Sequence, residues 1–228
     1  MLLSISEDAF TRLHRDLQRD LAFVTVESLA NQTVAIRTKA IADLYFSSEA
    51  YDDYGPEHGT YANHTAIQIP DPRDWEIIEA FAADGMGVED FDPTDVERIR
   101  KMIMITDEEY DGLVADGKIK ADELEAERAA NQADTDLILD LAHKTTYQLS
   151  SGQLRSVYVD RSKNLFDALY DLTDYDGGEP ADDLIRLEAE GWHRIVFIGK
   201  SALDYIIVPT HRYNDGKVDA EADDIDPA

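Results

Sequence analysis

The residue types best suited to chemistry are concentrated in one stretch, residues 51–64, which is interrupted by glycine and proline. Carboxylate oxygens and imidazole nitrogens are ligands that divalent metal ions accept, and loops carry functional residues more often than the elements they connect. The spacing matches no known ligand motif, so the alternative is a solvated loop whose carboxylates belong to an acidic surface. The side chains that a metal would use are Asp52, Asp53, Glu57, His58 and His64.

A second group of titratable residues surrounds two apolar runs within residues 191–211. If the two runs pair as a hairpin, His193 and His211 come close together, and Asp204 and Tyr205 join them in an acid–base cluster. Histidines at strand ends commonly have no catalytic role. We therefore interpret these residues as structural and predict no catalytic residue.

Several kinds of site are excluded by what the chain does not contain. It has no cysteine, which removes disulfides, thiolate nucleophiles and cysteine-based metal centres. It contains neither of the glycine-rich nucleotide-binding patterns, GxGxxG and GxxxxGK(S/T), and no GxSxG nucleophile motif. We expect no nucleotide and no cofactor, apart from the divalent metal of the hypothesis for residues 51–64.

The charge of the chain is its most unusual global property. The formal net charge is −28 on 228 residues, with 32 Asp against 17 Glu and 13 Arg against 8 Lys. In molar salt the Debye length falls to ~3 Å, which screens the self-repulsion of such a chain. The composition resembles that of haloarchaeal proteins and of the viruses that infect them. We expect a cytoplasmic or virion protein from a high-salt environment, without a signal peptide or a membrane-spanning segment.

The acidity also argues against binding to nucleic acid or to an anionic membrane, because both of those surfaces are negatively charged. The two densest basic groups, residues 12–19 and 98–101, are interleaved with or flanked by carboxylates, as on a solvated helix face. We expect protein partners, and among them further copies of the same chain.

Hydrophobic periodicity and caps predict several helices. Residues 6–22 carry one apolar stripe and begin at Ser6, and residues 30–45 carry a second stripe. Residues 121–147 predict a long helix whose first half is almost wholly polar or alanine, which is typical of an interface. The residues that we expect at an interface are Phe10, Leu13, Leu17, Leu21, Leu124 and Arg128.

Two further helix starts are marked by local capping signals. Asp92 precedes Pro93, which places a capping carboxylate before a proline at the first helical position. Thr106 and Glu109 have the spacing of a capping box, in which each side chain accepts from the backbone of the other.

The fold class that these patterns predict is α+β. A mainly helical region covers residues 1–150, a small β-α-α-β-β unit covers residues 151–213, and an acidic disordered tail covers residues 214–228. The β-hairpin of the small unit is formed by residues 195–198 and 205–208, which are both continuous apolar runs. Such runs are typical of strands that are covered on both faces.

Two short helices, residues 163–172 and 182–190, are expected to cover one face of this hairpin. The other face then needs the N-terminal helices or a neighbouring subunit.

The missing motifs and the long helices together favour a non-enzymatic structural or assembly protein that forms a homo-oligomer. In a halophilic system, a virion head–tail connector component is one concrete form of this role. One alternative is a metal-binding protein or an enzyme that uses residues 51–64. A further alternative is an acidic transcriptional regulator, which needs a helix-turn-helix, and residues 72–105 are the place for one.

Overall fold

The computed structural model describes residues 1, 3–42, 44, 46, 72–83, 85, 87–173, 184–190 and 194–223. The chain separates into two compact units. We call residues 1–68 and 144–228 the sheet unit and residues 69–143 the helical unit. The helical unit is therefore an insertion in the sequence of the sheet unit.

The described residues contain seven α-helices and seven strands in mixed order. In chain order they are α1 (Glu7–Asp16), β1 (Phe23–Glu27), β2 (Gln32–Arg37), α2 (Pro72–Ala82), α3 (Pro93–Ile103), α4 (Asp107–Ala115), α5 (Leu124–His143), β3 (Lys144–Leu149), β4 (Leu154–Tyr158), α6 (Leu165–Thr173), β5 (Leu184–Glu188), β6 (Ile195–Gly199), β7 (Leu203–Pro209) and α7 (Thr210–Asp223). Helices and strands are interspersed throughout. The prediction of a helical N-terminal two-thirds followed by a β-α-α-β-β unit is therefore wrong.

Five strands form one antiparallel sheet in the order β1-β2-β7-β3-β4, and β5 pairs with β6 in a second, two-stranded sheet. The helix α1 packs on one face of the larger sheet, where Leu13 joins a cluster with Val24, Val26 and Val34. The opposite face belongs to the main core, which takes in Leu165 and Leu169 of α6. The larger sheet is thus covered on both faces at its β1-β2-β7 side.

The second predicted helix, residues 30–45, is not formed, because its first part is the strand β2. β1 and β2 make a hairpin whose turn ends at Asn31, a residue with a left-handed φ of 56°. The Ser28 hydroxyl accepts from the amides of Ala30 and Gln32, both at 3.2 Å, and so stabilises the turn. The β-branched residues of FVTVE and QTVAIR pack well on a sheet, and this outweighs the helical spacing of the apolar residues.

The predicted hairpin between residues 195–198 and 205–208 is also absent. β6 pairs with β5, and β7 lies between β2 and β3. The two runs are joined by a 3₁₀ turn, Lys200–Ala202. Both faces of β7 are covered, as its apolar run predicts: Ile206 and Val208 belong to the main core, and Tyr205 and Ile207 face the α1 cluster. The cover supplied by an N-terminal helix is confirmed for β7.

Residues 184–188 form the strand β5 where a helix was expected. Ile185 and Leu187 are buried, while Leu184 and Arg186, which alternate with them, are exposed. This alternation has the period of two that a half-buried strand requires. The helix predicted at residues 163–172 is present as α6.

The helical unit confirms the predicted caps. Asp92 accepts from the amide of Thr94 at 2.7 Å at the start of α3, with proline in the first turn. At α4 the Glu109 amide donates to the Thr106 hydroxyl and the Thr106 amide donates to the Glu109 carboxylate, which completes the capping box. Arg98 forms a bidentate contact with the buried Asp74 of α2 and so ties α3 to α2.

The C-terminal helix α7 runs through Asp223, where we expected a disordered tail from residue 214. Its start is held by Asn31: the Thr210 amide donates to the Asn31 carbonyl and the His211 amide donates to Asn31 Oδ1. These bonds satisfy amides that a helix start leaves open. Among the residues described, no helix combines the length and the apolar character needed to cross a membrane.

Candidate interaction surface

The strand register assigns the side chains of the larger sheet to two faces, because directly opposed residues of an antiparallel pair share a face. Tyr205 of β7 lies on the side that α1 covers. It is opposite Gln148 of β3, and Gln148 is opposite Leu154 of β4, so all three side chains share this side. It also places Tyr158 opposite Lys144 on that side. The face that α1 covers at β7 therefore continues over β3 and β4, where Leu154 and Tyr158 are exposed.

The same face continues onto the two-stranded sheet. An antiparallel bridge joins Val159 to Ala189, and the Glu190 amide donates to the Tyr158 carbonyl. This register puts Glu188 and Arg186 of β5 on the same side as Tyr158, and Arg186 opposite Phe197 of β6. We call this continuous surface over β3, β4, β5 and β6 the outer sheet face.

The outer sheet face carries large apolar side chains that remain in solvent. They are Leu154 (60% exposed), Tyr158 (44%), Leu184 (50%), Ile195 (43%) and Phe197 (58%). Their strand neighbours on the opposite face, such as Ile185 and Ile198, are almost completely buried in the main core. Single exposed apolar residues are ordinary, whereas a group of them on one sheet face is typical of interaction sites, so this face is the candidate interaction surface.

The charges on the outer sheet face are nearly balanced. Lys144 and Arg186 stand against Asp160, Glu188 and Glu190, an excess of one negative charge, whereas the whole chain has a net charge of −28. Arg186 bonds to Glu188 at 2.6 Å, and Lys163 contacts the other oxygen of the same carboxylate at 3.1 Å. The Lys163 hydrogen bond, with help from Arg186, lowers the pKa of Glu188. The Glu188 carboxylate is therefore ionised at neutral pH, and its contact with Arg186 is an ion pair.

Beside this face lies a cleft of about 320 Å³, lined by residues of β5 and of the start of α6. Its polar groups already bond to one another. Lys163 and Arg186 share Glu188, and Asn164 accepts from the amides of Phe166 and Asp167. The cleft therefore contributes charge pairs to the rim of the outer sheet face.

The metal hypothesis concerns side chains outside the described residues. Asp52, Asp53, Glu57, His58 and His64 all lie in the range 47–71, so the hypothesis stays a prediction. Within the described ranges there is no group of three or more His, Asp or Glu residues that could hold a metal ion.

The acid–base cluster around residues 193–211 is tested only in part, because His193 also lies outside the described residues. His211 is buried and accepts through Nδ1 from the side-chain amide of Asn31 at 2.9 Å. Asp204 forms a cross-strand ion pair with Arg37 at 2.6 Å. The Arg37–Asp204 pair therefore links β2 to β7, and the contacts of His211 hold the start of α7 to Asn31.

The predicted interface residues have the following places. Leu13 is buried against β1 and β2, Leu17 and Leu21 pack at the edge of that cluster, and Phe10 is partly exposed beside Phe46. Arg128 lies over the ring of Tyr110 and forms an ion pair with Asp107 of the same unit. Leu124, the first residue of α5, is half-buried. Contacts within the chain thus account for Leu13 and Arg128, and their role at an interface stays a prediction.

Sequence reasoning did not find the outer sheet face. The alternation of LIRLE was a sufficient signal for β5, since every second residue is apolar on a strand that exposes one side. For Phe197 the sequence predicts burial, because the continuous apolar run IVFIG is typical of a strand covered on both faces, but the side chain is exposed. Arg212 was missed as well: it is buried and donates to the carbonyls of Val159, Asp160 and Lys163.

The comparisons with known proteins give no family for the chain. No family model matches it, and no curated protein and no solved structure is similar to it at a significant level. The fold and the outer sheet face are therefore the basis for a functional argument.

Proposed function

We propose that this protein is a non-enzymatic assembly component of a halophilic system that works by associating with other subunits. A homo-oligomeric head–tail connector component of a virus from such a system is the concrete form of this role.

The observation that carries the proposal is the outer sheet face. Its five exposed apolar side chains lie on strands rather than on loops. Covering such a face removes apolar area from water, and this stabilises the covered state by roughly 25 cal/mol for each Å² buried. Its nearly balanced charge in a chain of net charge −28 means that a second subunit meets little repulsion there.

Light scattering of the purified chain in about 3 M KCl tests the proposal, because that salt screens the remaining repulsion. We expect a species larger than a monomer, and a ring-sized species supports the connector form in particular. A chain that stays monomeric at high protein concentration contradicts the assembly role.

The metal-binding alternative makes a different prediction for residues 51–64. Metal analysis of protein purified in high salt, repeated on His58→Ala and His64→Ala, separates the two roles. Stoichiometric metal that is lost in both variants contradicts a purely assembly role.

The regulator alternative places its helix-turn-helix within residues 72–105, which hold α2 and α3. A three-residue connection like that of a helix-turn-helix occurs instead between α3 and α4, and α4 lies beyond that range. The second helix of such a motif must approach phosphates, but α4 begins with Asp107, Glu108 and Glu109. We therefore expect no retention on DNA at any salt concentration, whereas retention that falls with salt supports a regulator.

A further inference from the structure

We propose that the outer sheet face binds a second copy of this chain, face to face about a two-fold axis, with Arg186 of each copy paired to the partner's Glu188. The inference rests on the proposed assembly role and names the subunit contact that this role requires.

Arg186 lies on the outer sheet face between the apolar residues of β6 and the polar cleft at the start of α6. Its cross-strand neighbour is Phe197, and Leu184 lies two residues before it on the same side of β5. The guanidinium is half exposed and is bound in the single chain to Glu188. Arginine and aromatic side chains are the residue types enriched at the energetic centres of protein interfaces.

The arrangement of charge fits a copy of the same face. Arg186 and Glu188 are one cation and one anion two residues apart on the same side of β5. A two-fold axis that pairs one copy's arginine with the other copy's glutamate also makes the reverse pair, because a contact of this symmetry is reciprocal. The Arg186–Glu188 pair within each copy is exchanged for a pair between the copies, while each Glu188 keeps its contact with Lys163 of its own copy, so no charge is buried alone.

The apolar residues fit the same geometry. Phe197 and Ile195 of β6 and Leu184 of β5 flank the Arg186–Glu188 pair on the side away from the cleft, so the two-fold contact stacks the same apolar group on itself. The charge outside the face opposes association, since each copy carries −28. The affinity of the dimer is therefore expected to rise with salt concentration, because salt screens the long-range repulsion but does not weaken apolar burial.

The first test removes the apolar centre. Phe197→Asp is expected to weaken dimerisation at least about 30-fold in about 3 M KCl, measured by analytical ultracentrifugation over a dilution series. The matched control is Met102→Asp on α3, which adds the same charge at a side chain of similar exposure, 51% against 58%. The control is expected to dimerise as the unchanged chain does. Circular dichroism checks that both variants remain folded.

The second test addresses the ion pairs directly. Arg186→Glu and Glu188→Arg are each expected to weaken the dimer about tenfold, because like charges then face each other across the axis. The double variant R186E/E188R restores opposite charges and is expected to recover most of the affinity. A dimer that is equally weak in the double variant overturns the reciprocal pairing.

The outcomes separate this inference from the proposed function. If the unchanged chain is oligomeric and Phe197→Asp leaves the oligomer intact, the assembly role stands but the outer sheet face is not the contact. If the unchanged chain is monomeric at every salt concentration, both the inference and the assembly role are contradicted. If Phe197→Asp alone dissociates the oligomer, and Met102→Asp does not, the inference is supported.

Discussion

Thr145 on β3 is a fully buried residue whose hydroxyl has no hydrogen-bond partner within the described part of the chain. A buried hydroxyl that loses water without gaining a partner costs roughly 1–3 kcal/mol. Thr145→Val keeps the shape and the β-branching and removes this cost, so we expect the free energy of unfolding to rise by about 1 kcal/mol. Urea denaturation in molar KCl measures the change.

Thr33 is the matched control for this prediction. It is equally buried on β2, but its hydroxyl bonds to the Thr210 hydroxyl at 2.9 Å. Thr33→Val is therefore expected to lower the free energy of unfolding by about 1 kcal/mol. A loss of stability in both variants would show that the Thr145 hydroxyl has a stabilising partner after all.

Gly216 on α7 shows how closely that helix approaches α6. A Cβ at this position would lie 1.9 Å from Asn164 Oδ1. Asn164 in turn caps α6 by accepting from the Phe166 amide at 2.8 Å. Gly216→Ala therefore either strains the contact or displaces the cap, and we expect it to destabilise the sheet unit by about 1–3 kcal/mol in thermal unfolding.

Gly112 in the middle of α4 provides the opposite case, because a Cβ there meets nothing within 4 Å. Gly112→Ala is expected to stabilise the helical unit by roughly 0.5–1 kcal/mol through helix propensity alone. Equal effects of the two substitutions would contradict the close contact between α6 and α7.

At the scale of elements, the start of α4 depends on an ionised glutamate. The side-chain hydrogen bond from Arg100, and then the Thr106 amide, lower the pKa of Glu109 to about 2. The folded state therefore holds the charged form more tightly than the unfolded state does. This stabilisation is present above the ordinary pKa of a glutamate and is lost as the pH falls towards about 2.

Replacing Glu109 by glutamine tests this dependence. The difference in stability between the unchanged chain and Glu109→Gln is expected to be largest above pH ~4.5 and to vanish near the lowered pKa. Glu108→Gln is the control, because it removes a charge from the same helical turn but leaves the Arg100 contact with Glu109 in place. A difference that does not change with pH would mean that packing, not charge, stabilises this cap.

At the scale of the whole molecule, the acidic charge is spread over both units. The helical unit alone has 22 acidic residues against 7 basic ones. Its ion pairs, such as Arg98 with Asp74 and Arg100 with Glu109, neutralise only part of that excess. We expect the midpoint of thermal unfolding to rise steeply between about 0.1 and 3 M KCl, because the Debye length falls from ~10 to ~3 Å.

A neutral osmolyte separates screening from a general stabilising effect of cosolutes. Sucrose favours compact states by its exclusion from the surface but does not screen charge. If sucrose raises the midpoint as much as KCl does, or if KCl has no effect, the interpretation of a protein adapted to high salt is contradicted.

The helix starts that depend on neighbouring residues are confirmed. The caps at Asp92 and Thr106 depend on residues within three positions of each other, and both helices begin where these signals place them. Residues 30–45 and 182–190 were assigned the wrong element, because short apolar segments satisfy helical and strand spacing at once. The metal hypothesis rests on the composition of residues 51–64 and on their irregular, glycine-containing sequence, and these residues lie outside the described part of the chain.

The sequence by itself determined the charge, the absence of cysteine chemistry, the capped helices and the need of β7 for cover on both faces. Only the tertiary structure decided that β7 pairs with β2 and β3 rather than with β6, since strand pairing depends on residues far apart in the chain. It also decided which apolar residues stay uncovered. Ile195 and Phe197 have the same residue types as a buried strand, and their exposure follows only from where the helices pack.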